Sequence, residues 1–207
     1  MGRFFIVAAI VVAALVAAPA VLLSLRHDSD YGDRVVLYSS YGAKVRSIDP
    51  ATAGDTTSAS IQGNVFESLY GYHYLKYPIQ LEPQLAADMP DVSPDGLTYT
   101  IRLKPGIPYA ANPCFGLDEQ GTPRSRDVRA DDFVLAFKRI ADFHIPTRLA
   151  WSFLDGRIAG LNDFRNETQR RKEGDFARYD LPVEGLAALD DLTLRIKLTN
   201  PFPQDRK

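Results

Sequence analysis

The sequence holds little with which to do covalent chemistry. It contains one cysteine, Cys114, so no disulfide can close within the chain and the fold must stand on its hydrophobic core. Its three histidines, His27, His73 and His144, lie far apart, and none has the His-x-His or His-x-x-x-His spacing that sets two imidazoles on one metal. It lacks a Gly-x-Ser-x-Gly elbow for an activated serine. It also lacks a Gly-x-x-x-x-Gly-Lys-Ser/Thr loop for phosphates and a Gly-x-Gly-x-x-Gly turn for a dinucleotide. Carboxylates stand side by side at Asp131-Asp132 and Asp190-Asp191, but neighbouring side chains point in different directions and such doublets rarely form an acid/base pair. These absences predict a protein that is not an enzyme, with no catalytic residues, no cofactor and no metal. An excess of charge of one sign is missing too. The 24 Lys and Arg against 26 Asp and Glu leave a net charge of −2, which excludes the basic footprint of a nucleic-acid binder. No internal repeat is visible.

The chain does have one long apolar run. From Phe4 to Leu25 there is no ionisable side chain, while Arg3 precedes the run and Arg26, Asp28, Asp30 and Asp33 follow it. A helix of this length would extend about 33 Å, enough for a hydrocarbon core of about 30 Å. Residues 1–25 therefore predict an N-terminal hydrophobic helix, a signal anchor holding the chain to the membrane through residues 4–25. Ala18-Pro19-Ala20 also has the small-x-small form accepted by a signal peptidase, so a cleaved signal peptide is the competing reading. Cleavage would leave Val21-Leu22-Leu23-Ser24-Leu25 as an apolar mature terminus. Either way the remainder is sent to the periplasmic or extracytoplasmic face, anchored to the inner membrane or secreted. Residues 26–34 read as a polar linker.

Beyond the linker the pattern changes to that of a folded domain. Val35-Val36-Leu37-Tyr38 predicts a buried strand that runs into a loop at Ser39-Ser40-Tyr41 and on through Ile48-Asp49-Pro50. Ile61, Val65, Phe66 and Leu69 fall at helical spacing, which predicts a helix over Thr56 to Tyr70, with Asp55 or Thr56 as N-cap and Gly71 as terminator. Tyr72 to Pro83, interrupted by prolines, predicts an extended connection. Ser93-Pro94-Asp95-Gly96 is turn chemistry and feeds an alternating strand, Leu97 to Leu103. A long loop follows from Tyr109 to Arg129, with Arg124, Arg126 and Arg129 read as solvated.

The segment Asp131 to Asp142 predicts an amphipathic helix with Phe133, Val134, Phe137, Ile140 and Ala141 on its buried side. Acids open it, and Lys138 and Arg139 near its end complement the helix dipole. A gapped helix is expected over Arg148 to Leu161, a charged excursion or frayed helix over Asn162 to Arg178, and a helical turn over Val183 to Leu189. A last alternating strand covers Leu192 to Leu198. The fold class is mixed α/β, or α+β. Tyr38, Tyr41, Tyr70, Tyr72, Tyr74 and Tyr77 crowd the early soluble region, a residue type that suits a ligand cleft or the edge of a core.

Read in order, these pieces resemble the extracellular solute-binding proteins of family 5, the dipeptide, oligopeptide and nickel binders of ABC importers. The resemblance spans Val35 to about Gln204. It rests on Ile48-Asp49-Pro50 after a first strand, and on GNVFESLYGY (63–72), similar to the family's N-x-x-E-x-L helix. LEPQLAADMPDVSPDGLTYTIRLKPGI (81–107) adds a further match, followed by VRADDFVLAFKRI (128–140) and GLAALDDLTLRIKLTNPFP (185–203).

The resemblance implies a two-lobed, periplasmic-binding-protein-like fold of class C that closes on its solute. Residues 35–207 would supply the starting part of lobe I, and the second lobe would be missing. It also implies capture of a peptide or other small solute for ABC permease subunits. The alternative is a membrane-tethered sensor or interaction module that uses the same lobe. In a completed cleft Ser39, Ser40 and Tyr41 would face the ligand, or else merely cap the strand. The loop Pro108 to Arg126 is longer than the family's usual link, and residues 162–180 look like an insertion.

Overall fold

The computed structural model describes Ser40 and residues 42–202. The chain divides into two units, residues 1–42 and 43–207, and all of the described residues after Gly42 belong to the second. The expected membrane helix, the linker at 26–34 and the first strand at 35–38 lie outside the described residues. Among the described residues, no helix is long and apolar enough to cross a membrane.

A four-stranded antiparallel sheet organises this unit: β3 (Asp91–Val92), β4 (Thr98–Arg102), β5 (Leu186–Asp190) and β6 (Thr193–Lys197), in the spatial order β3-β4-β6-β5. The two strands with strict alternation pair with each other at the centre of the sheet, and Ile101 stands opposite Leu194. Both are buried, as period-2 side chains on one face must be when that face is covered. The turn before β4 forms as its residues dictate. Asp95 Oδ1 accepts from Leu97 N at 3.0 Å, Gly96 N donates to Ser93 O at 2.8 Å, and Gly96 adopts φ +70°, a conformation open to glycine.

The cover is a helix, Ala130–Ala141. Asp132 in its first turn accepts from Arg129 N at 2.9 Å, which satisfies one of the free donors at that end. Val134 on this helix packs into two clusters. One surrounds Ala86, Ile101, Leu103, Ala130 and Leu194; the other surrounds Ala141, Ile158, Leu161, Phe164, Val183 and Leu186. Lys138, in the last turn as expected, is buried and donates from Nζ to Tyr179 O at 2.8 Å.

The structure corrects several expectations. The helix at Thr56 stops at Gln62 instead of reaching Tyr70. Gly63 N still donates to Ala59 O, but the following amides close tight turns on Ile61 and Gln62. Val65 and Phe66 end up exposed, and Leu69 and Tyr70 reach the core from an extended chain. Gly71 therefore lies in a strand, β1 (Tyr70–Tyr72), opposite Glu82 of β2 (Leu81–Pro83), and the expected connection 72–83 is part of a separate two-stranded hairpin.

The gapped helix over 148–161 is two helices, Arg148–Leu154 and Leu161–Arg170, separated by Gly156 and Gly160 at φ +67° and +74°. The second of them covers the first part of the segment expected as a charged excursion or frayed helix, and it buries Leu161, Phe164 and Thr168, an i, i+3, i+7 stripe within an otherwise polar segment.

Finally, Val183 to Leu189 is not a helical turn, because Leu186 onward forms β5 against β6. Gly185 makes that pairing possible. A Cβ there would sit 2.6 Å from Lys197 O and 2.8 Å from both Ala159 N and Ala159 O, all of them backbone atoms. The close approach is used, since Gly185 N donates to Ala159 O at 2.8 Å and Lys197 N donates to Gly185 O at 2.9 Å.

Candidate functional site

Of the residues expected to face a ligand, Ser39 and Tyr41 lie outside the described residues, and Ser40 is exposed. What the structure supplies is the ground on which the loop after them rests. Ser58 is buried in the first turn of the helix Thr56–Gln62. Its hydroxyl oxygen accepts from Arg46 N at 3.1 Å and Ser47 N at 3.3 Å, while the hydroxyl donates to Asp55 Oδ2 at 2.8 Å. Asp49 of the Ile48-Asp49-Pro50 turn accepts from Ala51 N at 3.0 Å and from Arg139 Nη2 at 2.8 Å. Burial pushes the Asp49 carboxyl up, but the hydrogen bonds from Arg139 and Ala51 N outweigh it and hold the group below its usual range. A latch between the loop and the last turn of the Ala130–Ala141 helix results. The sequence could place Arg139 at a helix end but could not reveal its partner, which lies 90 residues away.

Of the clustered tyrosines, Tyr38 and Tyr41 lie outside the described residues, and Tyr70, Tyr72, Tyr74 and Tyr77 do not line a common cavity. Tyr70 is half-buried, and its hydroxyl donates to Asp88 O at 3.2 Å, so it belongs to the edge of the core. Tyr72, Tyr74 and Tyr77 project from the hairpin into solvent. A surface cavity of about 300 Å³ lies between Ser152–Arg157 and Leu198–Phe202, where the Arg157 guanidinium stands 5.9 Å from the Phe202 ring. Another of about 320 Å³ lies between Gly160–Glu167 and Leu181–Glu184. Tyr70, Tyr72, Tyr74 and Tyr77 contribute to neither.

The basic cluster of the long loop is not uniformly solvated. Arg124 is exposed and Arg129 makes only a loose pair with Asp191 at 3.8 Å, but Arg126 is a clamp. Its two terminal nitrogens grip both oxygens of Asp132, one at 2.9 Å, and its plane lies 5.0 Å from the Tyr109 ring centre and 5.3 Å from that of Phe115. Burial pushes the Tyr109 hydroxyl up, and the neighbouring Asp132 carboxylate adds to this. The fork geometry explains why arginine stands here. Arg126→Ala is expected to release loop 108–127 at a cost of about 1–2 kcal/mol and to speed tryptic cleavage after Arg124. Arg126→Lys should recover little of this, and an unchanged cleavage rate in both variants would refute the clamp.

The most strongly perturbed groups form a buried strut. Asp142 and Arg178 pair at 2.7 Å with almost no exposure, and Tyr179 Oη donates to Asp142 Oδ2 at 2.6 Å. Burial pushes the Asp142 carboxyl up, but donation from Tyr179, His144 N and Arg178 overrides it and holds the group low. The Tyr179 hydroxyl is pushed up to about 12 by burial and by its bond to Asp142. The strut ties the end of the Ala130–Ala141 helix to the 3-10 turn Phe176–Asp180. His144 is engaged through Nε2 with Thr168 O at 3.0 Å and Arg171 O at 2.9 Å. Among the described residues, no group of three or more His, Cys, Asp or Glu is placed to hold a metal, and Cys114 is exposed.

The family model described as bacterial extracellular solute-binding proteins, family 5 middle, matches residues 80–206, which include the whole four-stranded sheet and its covering helix. The chain is similar to the glutathione-binding protein GsiB of Pectobacterium atrosepticum, at 30% identity over 66% of this chain and 25% of the relative. It is also similar to the periplasmic oligopeptide-binding protein OppA of Salmonella typhimurium, at 25% identity over 97% of this chain and 32% of the relative. Among solved structures, the pheromone receptor PrgZ matches with a TM-score of 0.55 and 30% identity over 79% of this chain and 27% of that one. Listeria monocytogenes OppA bound to peptide matches with a TM-score of 0.54 and 25% identity over 77% and 26%. The mixed α/β fold is thus that of periplasmic peptide-binding proteins. The chain spans between 18% and 32% of the length of the curated relatives it matches.

Proposed function

The chain belongs to the bacterial extracellular solute-binding proteins of family 5, and from that premise we propose that it captures short peptides outside the cytoplasm for an ABC importer. One observation carries the reading: the matched residues 80–206 are the ones that build the sheet β3-β4-β6-β5 and its covering helix, so the likeness to peptide receptors resides in the folded frame. The relatives' names point the same way, since they include oligopeptide-binding, dipeptide-binding and glutathione-binding proteins.

In this reading residues 35–207 form the starting part of the first lobe of a two-lobed class C receptor. A peptide lies along an exposed chain edge and is held mainly by backbone hydrogen bonds. Ser39, Ser40 and Tyr41 face it. The run 4–25 keeps the receptor beside the permease. Binding needs no catalysis, and the buried polar groups described above are committed to holding the fold.

Uptake by living cells tests this. Removing the gene should abolish import of labelled short peptides and leave import of free amino acids unchanged. Unaltered peptide import would overturn the proposal. Unaltered import together with a lost peptide-dependent response would identify a tethered sensor instead.

A further inference from the structure

The hairpin β1–β2 carries a second surface that solute capture does not explain. Its base is anchored, since Leu69 and Tyr70 pack against the Ala86–Leu103 cluster and Gln84 N and Ala86 N donate to Leu69 O. Its tip is not. His73 N donates to Gln80 O at 2.8 Å and closes a loop, Tyr74-Leu75-Lys76-Tyr77-Pro78-Ile79. In that loop Tyr74 is 93% exposed, Tyr77 96%, Leu75 80% and Ile79 71%. Water-facing loops are ordinarily polar, and a contiguous apolar patch on a folded surface marks an interaction site.

Charge decides which medium fits. From Ser68 to Leu81 there is no carboxylate, and the one permanently charged side chain is Lys76, at the centre of the loop. Tyrosine and lysine share a design, an apolar body with a polar tip, that suits the boundary between lipid headgroups and acyl chains. The exposure argues against a flat protein partner. Side chains more than nine-tenths exposed stand out from the surface as fingers, and fingers need a medium they can enter. We infer that the loop 74–79 inserts into the headgroup region of an anionic bilayer, with Tyr74, Leu75, Tyr77 and Ile79 at the acyl boundary and Lys76 among the phosphates. Such a contact would fix the orientation of the folded unit on the membrane. The loop's own chemistry carries the inference, and it stands whether or not the solute is a peptide.

The test uses the full chain reconstituted into vesicles of phosphatidylethanolamine and phosphatidylglycerol, with brominated acyl chains as quencher. The native indole is removed by Trp151→Phe and a new one introduced by Tyr74→Trp, Tyr77→Trp or, on a different exposed loop, Leu117→Trp. Fluorescence at 74 and 77 should shift to the blue and be quenched, while that at 117 should not. Lys76→Glu changes the loop by two charge units, which at about 1 kcal/mol each lowers the inserted population by about thirty-fold and should remove the quenching. Absence of quenching at 74 and 77, or equal quenching at 117, overturns the inference. A blue shift without quenching reports burial against protein and overturns it as well.

Discussion

Arg178→Ala is expected to destabilise the folded unit by about 3–5 kcal/mol, a large share of the 5–15 kcal/mol typical of a whole domain. The guanidinium is 3% exposed and serves several groups at once. Its Nε holds Asp142 Oδ2 at 2.7 Å, and its Nη1 donates to the carbonyls of Lys172, Glu173 and Asp175. Truncation leaves a fully buried carboxylate with only neutral donors, and it orphans the carbonyls that shape the 3-10 turn. Replacing both partners, as Asp142→Leu with Arg178→Met, should cost far less than the two single changes added together, because an apolar pair leaves no uncompensated charge. Urea unfolding followed by circular dichroism measures all three variants. A loss below about 1 kcal/mol for Arg178→Ala would show that the strut is dispensable.

The same strut makes stability depend on pH at both ends of the range. The Asp142 carboxyl is held below its ordinary value of 3.8, so its contribution is complete above that pH and disappears as pH falls through the lower folded value. In Arg178→Ala acid unfolding should therefore begin at higher pH. Tyr179 works in the opposite sense. Its hydroxyl is pushed from 10.0 up to about 12, so its contribution is complete below pH 10 and is lost as pH rises toward 12. Tyr179→Phe should flatten that alkaline loss.

Leu194→Ala should cost about 2–5 kcal/mol. Leu194 has no exposure, stands opposite Ile101 in the central strand pair, and lies in the cluster that also receives Leu69 and Tyr70 from the hairpin base. Removing its branched end opens a cavity that close-packed neighbours cannot fill. Leu189→Ala, at an exposed position of the neighbouring strand, should change stability by about 0.5 kcal/mol or less. Equal losses at the two positions would mean that this sheet face is not the core.

The features that could be read from the sequence were those with a strong local cause. The strands ending at Arg102 and Lys197 have period-2 alternation, the turn before Thr98 has Asp95 and Gly96, and the helix Ala130–Ala141 has its apolar stripe and acidic first turn. Where local signals were weak, reading failed for identifiable reasons. Ile61, Val65, Phe66 and Leu69 mimic a helical stripe, but Leu69 and Tyr70 gain more by pairing within a hairpin. The helix Leu161–Arg170 buries so narrow a stripe that its polar remainder left a charged excursion and a frayed helix as equal readings. The strand Leu186–Asp190 exists because Gly185 lets backbones from distant segments meet. As for the candidate site, Ser39, Ser40 and Tyr41 were named from their place after a strand, while the supports that shape the following loop, Ser58 and Arg139, were invisible until the chain was folded.

Composition and local pattern alone determined the mixed α/β class and the order of the conspicuous elements, because turn chemistry, alternation and helical stripes act between near neighbours in the chain. Tertiary structure alone decided which polar groups are buried as struts, that Arg126 and Arg139 are clamps, and that the tyrosines of the hairpin stand out from the surface. Each of those outcomes depends on contacts between residues distant in sequence, whose energies arise only once burial has removed water from between them.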